Sequence, residues 1–119
     1  MSWLFESEGE IVWDVATQVA RLFVAEVTAV AQWIEVPTGL TVPGDDTCQI
    51  DVRQFQLFTE AIGSRYLSAS HTQLRLLLIG VVLPSIVMLE RSGIRPLFGS
   101  DVGTKLIAEA REHARSMGQ

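Results

Sequence analysis

The chain opens with two short apolar stretches around a polar turn, and changes to helical spacing after Trp13. Trp3-Leu4-Phe5-Glu6 and Glu10-Ile11-Val12-Trp13 are short, aromatic and β-branched, and Ser7-Glu8-Gly9 between them suits a tight turn. The pattern predicts a β-hairpin over about residues 3–13, with Trp3 and Phe5 on one face. Two strands are marginal in water by themselves, so that face must rest on helices or on another chain.

Asp14 can cap a helix over about residues 15–35. Its apolar arc holds Val15, Val19, Leu22, Phe23, Val27, Val30, Trp33 and Ile34, with Thr17, Gln18, Arg21, Thr28, Gln32 and Glu35 opposite. Val36-Pro37-Thr38-Gly39 ends it, and residues 37–49 read as a loop turning at Pro43-Gly44-Asp45-Asp46. Asp51 can cap a second helix, about residues 52–67, whose stripe is Phe55, Phe58, Ile62 and Tyr66. Ser70 with Gln73 resembles a capping box launching a third helix, about residues 71–91. That helix is apolar around its whole circumference, which makes it the expected central element. Pro84 should kink it or divide it near Val82, because proline lacks the amide hydrogen. After Gly93 and a connector containing Pro96, a last helix over about residues 101–117 should pack as a lid. The expected fold is therefore mainly α: a four-helix bundle-like single domain over residues 1–119 with a small N-terminal β-hairpin.

Fourteen acidic against nine basic side chains give a net charge of −5, which argues against a nucleic-acid partner. Apolar residues at 48% with 19% charged exclude intrinsic disorder. A single cysteine, Cys48, leaves no intrachain disulfide and no cysteine-rich zinc site. Glu6, Glu8 and Glu10 interrupt the start of the chain as no signal peptide would, so a cytoplasmic protein is expected. The uncharged run from Leu76 to Leu89 falls short of the roughly twenty residues needed to span a bilayer, so it reads as a buried helix and no membrane partner is expected.

Candidate chemistry is sparse. No phosphate-binding glycine loop, dinucleotide fingerprint, nucleophile elbow or paired-histidine zinc helix occurs, and neither an enzymatic activity, a cofactor nor a metal is expected. His71 and His113 are far apart, and Asp45, Asp46 and Asp51 lack calcium-loop spacing. Glu26 falls inside the apolar arc of the first helix. A carboxylate there either pairs with an arginine such as Arg53 or Arg75, lines a polar cavity, or escapes to solvent. Glu26 and His113 are thus the buried-polar or pocket candidates. Trp3 with Glu6, Glu8, Glu10, Asp45 and Asp46 is the candidate partner-binding set.

The run Val19-Ala20-Arg21-Leu22-Phe23, then Val36-Pro37-Thr38-Gly39, an acidic loop and Ile50-Asp51, with Trp13 ahead of the first helix, resembles a family of short uncharacterised bacterial proteins. The resemblance covers roughly the first half of the chain and leaves the final helix outside it. It implies no activity and transfers no catalytic residue. The expected function is a small interaction module of the immunity or antitoxin kind, masking another protein through an acidic surface. The alternatives are a homo-oligomer built from a second copy of the chain, and a helical pocket for a small apolar ligand with Glu26 or His113 as its polar contact.

Overall fold

The structure is a computed structural model that describes residues 1–44 and 46–118. The expected hairpin is present and longer than the alternation implied: β1 is Ser2–Ser7 and β2 is Glu10–Ala16. Glu8 and Gly9 make the connection with φ of 52° and 84°. Positive φ at both central residues matches the right-handed twist of the strands, and Gly9 takes it without strain. The register runs from Phe5 opposite Trp13 to Glu6 opposite Ile11, so Val12 is an extra residue. This bulge lets the adjacent Val12 and Trp13 both be buried, where strict alternation would expose one.

The hairpin is half of a larger sheet, and the mainly α expectation is corrected here. Two further strands, β3 (Leu40–Thr41) and β4 (Thr47–Ile50), complete a mixed four-stranded sheet in the order β2-β1-β4-β3. β4 runs parallel to β1, and β3 pairs antiparallel with β4. The fold is α+β. Trp3, Phe5 and Ser7 of β1 and Cys48 and Ile50 of β4 are buried on one sheet face; Glu6 and Gln49, side by side in the parallel ladder, belong to the other.

Four helices pack with this sheet: α1 (Thr17–Ile34), α2 (Val52–Ser68), α3 (Thr72–Arg91) and α4 (Asp101–His113), the last continuing as a 3-10 turn over Ala114–Met117. Asp14 caps nothing, because the ladder with β1 extends β2 through it and α1 starts only after Ala16. Asp51 does cap α2, accepting from the Gln54 amide at 3.3 Å. For α3 the cap is His71, whose Nδ1 accepts from the Gln73 amide at 3.2 Å, in place of Ser70. Ser100 caps α4 through the Gly103 amide.

Pro84 leaves α3 undivided, a continuous helix from Thr72 to Arg91. Its missing amide cannot serve the carbonyl four residues earlier, which belongs to exposed Gly80. Burial along α3 is uneven: Val81, Val82 and Ser85 through Leu89 are enclosed, whereas Leu76 and Leu77 are 61% and 68% exposed. The central role expected for the whole helix holds for its C-terminal half. By length and composition α3 could cross a membrane, with mean hydropathy 1.9 over its best window, but half of that window is buried against the fold. A radius of gyration of 13.3 Å is that of a compact globule, consistent with a soluble protein.

Candidate functional site

The most distinctive surface lies between α1 and α3, and it arises from how α1 is held. Its buried face is Ala20, Phe23 and Val27. Phe23 meets Phe5 and Trp13 edge-on, with ring centroids 5.9 Å and 5.6 Å apart, an arrangement favoured by the ring quadrupoles. Trp13 donates its Nε1 hydrogen to the Met117 carbonyl at 3.1 Å, tying β2 to the 3-10 turn. Arg91 reinforces that junction, donating to the carbonyls of Val12 and Gly118. These contacts secure one side of α1 and leave another side bare.

On the bare side, Val19, Leu22 and Trp33 are 49%, 61% and 50% exposed, and Glu26 and Ala29 are exposed with them. Their spacing of three, four, three and four residues puts all five on one line along the helix. Across from this seam stand Leu77 and Gly80 of α3. The space between the helices opens into two hollows. One, about 260 Å³, is walled by Ala29, Val30 and Trp33 against Leu74, Leu77 and Leu78. The Arg65 guanidinium sits over the Trp33 ring, 5.1 Å from its centroid, and braces that end. The other is a cleft of about 250 Å³ where Val19, Leu22 and Glu26 face Gly80 and Pro84, closed at one end by the 3-10 turn.

Glu26 and His113, distant in the chain, both line this second cleft. The structure therefore brings the two pocket candidates together, but not as a buried pair: Glu26 is exposed. Neither arginine considered for it is its partner. Arg53 is exposed, and Arg75 donates to the carbonyls of Tyr66 and Ala69, both at 3.2 Å, while lying 4.3 Å from the centroid of the Tyr66 ring. Ser116, also in the lining, donates its hydroxyl to the His113 carbonyl.

The partner-binding set is not gathered into one face. Trp3 is 5% exposed and belongs to the core, so it is not on the surface with the acids of that set. Glu8 lies in the hairpin turn and Glu10 begins β2 just after it, next to the end of β4 that carries Ile50. Asp46 precedes the opposite end of β4, roughly 15 Å away at about 3.3 Å per residue. Glu6 lies between them on the outer sheet face, and Asp45 lies outside the described residues. Cys48 is fully buried, and burial pushes its thiol up to about 11, against a weaker opposing effect from its hydrogen bond to the Thr41 backbone; a nucleophilic role does not suit it. Among the described residues, no three His, Cys, Asp or Glu side chains are grouped to hold a metal ion.

Periodicity does not separate the exposed residues of the groove from the core, since Val19, Leu22 and Trp33 fall in the same broad arc as Phe23 and Val27. Glu26 in the middle of that arc was the one legible sign that part of it faces solvent.

A family model matches residues 1–119. The chain belongs to DUF6086, a family of unknown function. The DUF6086 match takes in the final helix, which the resemblance seen in the sequence had left out. The DUF6086 profile thus covers both walls of the groove and the 3-10 turn that closes the cleft. No curated protein and no solved structure matches the chain.

Proposed function

We propose that this chain is a cytoplasmic interaction module that docks a helix of another protein along the α1–α3 groove, masking it in the manner of an immunity or antitoxin-like protein. The observation that carries the reading is the grouping of Val19, Leu22, Trp33 and Leu77, large apolar side chains each about half exposed or more, along the hollows between two helices. Scattered apolar residues on a surface are ordinary, whereas a contiguous line of them costs solubility unless something covers it. Helix-in-groove recognition uses this geometry, with anchors at three- and four-residue spacing. The dispersed acids Glu6, Glu8, Glu10 and Asp46 then have a long-range part, steering a basic partner during encounter.

The test is a photo-crosslinking amino acid placed in living cells at Leu22 or Leu77, and at Ile11 and Val102 as exposed apolar controls elsewhere. A defined adduct from the groove positions alone, abolished by Asp at the other groove position, is expected. Equal adducts from the control positions refute the assignment of the surface.

A second reading has one observation in its favour, the convergence of Glu26 and His113 on one cleft. At about 250 Å³ that cleft is smaller than the roughly 300–1,000 Å³ typical of small-molecule pockets, which favours a side chain as its occupant.

A further inference from the structure

We propose that the cleft along the first half of the α1 seam, ending at Glu26, receives a lysine or arginine side chain from the partner helix, so that partners are chosen by charge as well as by apolar spacing. The inference rests on the groove reading above and adds the chemistry of the occupant. Three observations support it.

Glu26 occupies the third of the five seam positions and is flanked by apolar neighbours on either side. A single ionisable residue in an otherwise apolar helix seam weakens association in general and selects the partner that can neutralise it. Among the described residues, the cleft lining includes no lysine or arginine, and His113 is the basic side chain it does contain.

The second observation is a backbone acceptor in the same place. Pro84 has no amide hydrogen, so the Gly80 carbonyl lacks its helical donor. Gly80 is exposed and lines the cleft with Pro84, and a Cβ built on it meets nothing within 4 Å. The side-chain position of Gly80 is therefore open to a group entering the cleft beside this carbonyl. A lysine or arginine offers several N–H groups at once and can serve the carboxylate on one wall and the carbonyl on the other.

Third, the alternative occupants fit less well. If two copies paired through antiparallel α1 seams, the symmetry axis would fall at the middle of the seam. Val19 would then lie against Trp33 of the partner subunit, and each Glu26 would confront its equivalent. An isologous contact repeats every residue, so like charges would meet at its centre. An anionic lipid surface is opposed by the same carboxylate.

The experiment uses the full chain and synthetic amphipathic helical peptides of about three heptads, with leucine at the seam positions and lysine, leucine or glutamate at the centre. Binding is read by anisotropy of a labelled peptide. The lysine peptide should bind the wild-type chain at least about tenfold more tightly than the glutamate peptide, the scale of a charge-assisted hydrogen bond. Glu26→Lys should reverse that order, and Glu26→Gln should shrink the difference. Because Glu26 is exposed, both variants are expected to fold. Leu77→Asp should abolish binding of every peptide.

Equal affinity for lysine and glutamate peptides, with Leu77→Asp still abolishing both, overturns the charge rule and leaves the groove reading standing. Binding indifferent to Leu77→Asp, or no binding of any peptide, overturns both. Sedimentation of the chain as a dimer that Leu22→Asp dissociates, or binding to phosphatidylglycerol vesicles that Leu77→Asp removes, also overturns the proposal, in favour of a second copy or a lipid surface.

Discussion

Phe98, in the connector between α3 and α4, is held between two glycines, and this arrangement can be measured. A Cβ on Gly63 of α2 would lie 2.2 Å from Cε1 and 2.6 Å from Cζ of the Phe98 ring, and one on Gly103 of α4 would lie 2.5 Å from the Phe98 Cβ. In Gly63→Ala the ring must withdraw by roughly 1.3–1.8 Å to reach ordinary carbon–carbon separations of about 3.5–4.0 Å. The Phe98 Cβ already rests against the space above Gly103, so the residue has little room to slide away from α2. Overpacking of this kind costs about 1–3 kcal/mol, and alanine in place of glycine inside a helix returns about 1 kcal/mol. The single substitution should therefore destabilise by up to about 2 kcal/mol. In a Phe98→Ala background the obstruction is gone and the same change should stabilise by about 1 kcal/mol. Phe98→Ala itself should cost less than the roughly 3–5 kcal/mol of a fully buried phenylalanine, because the ring is only half-buried. Urea unfolding of the four proteins of this cycle, followed by tryptophan fluorescence, gives a coupling of about 1–3 kcal/mol. An identical effect of Gly63→Ala in both backgrounds would refute the wedge.

Cys48 links stability to alkaline pH: its thiol titrates near 11 when folded and at 9.0 ordinarily, so the folded state favours the neutral form. That contribution is complete below about pH 9 and is lost as pH rises toward 11, and Cys48→Ala should flatten this part of a pH series of urea midpoints. Thr59 is fully buried with no hydrogen-bond partner for Oγ1 among the described residues, so Thr59→Val should raise stability by about 1 kcal/mol in the same assay. At the hairpin, Glu8→Asn should raise the melting temperature by easing the positive φ, and Gly9→Val should lower it; the reverse order would contradict the turn geometry.

What could be read from the sequence was what neighbours in the chain decide. The Glu8-Gly9 turn, the Asp51 cap and the helical periods of α2 and α4 are local, and they stand in the structure where turn and capping chemistry put them. The sheet was half missed because β4 is short and acquires its identity from β1, a partner far earlier in the chain. Thr47-Cys48-Gln49-Ile50 does alternate, but a four-residue alternation beside a proline- and glycine-bearing stretch is indistinguishable from loop until its partner is known. The groove was hidden for a different reason. Periodicity reports which side chains share a helix face and is silent on how many neighbours that face has. Phe23 and Leu22 look alike by that measure, yet one lies in the aromatic cluster and the other in water. In α3 the apolar character runs all the way round, so nothing in its pattern distinguishes enclosed Val82 from exposed Leu77.

The Trp13–Met117 hydrogen bond spans 104 positions, which sets an order of events during synthesis. A ribosome that has released α1 has already made the whole seam from Val19 to Trp33, but neither α3, which forms the opposite wall, nor the turn that closes the cleft. A nascent chain at that stage carries the apolar seam without its opposite wall. The cleft takes its full shape only when the residues around Met117 have folded back onto Trp13, so a closed cleft also certifies that translation has run through α4. Chains stalled earlier would expose the apolar seam alone, the kind of surface that chaperones hold and proteases clear.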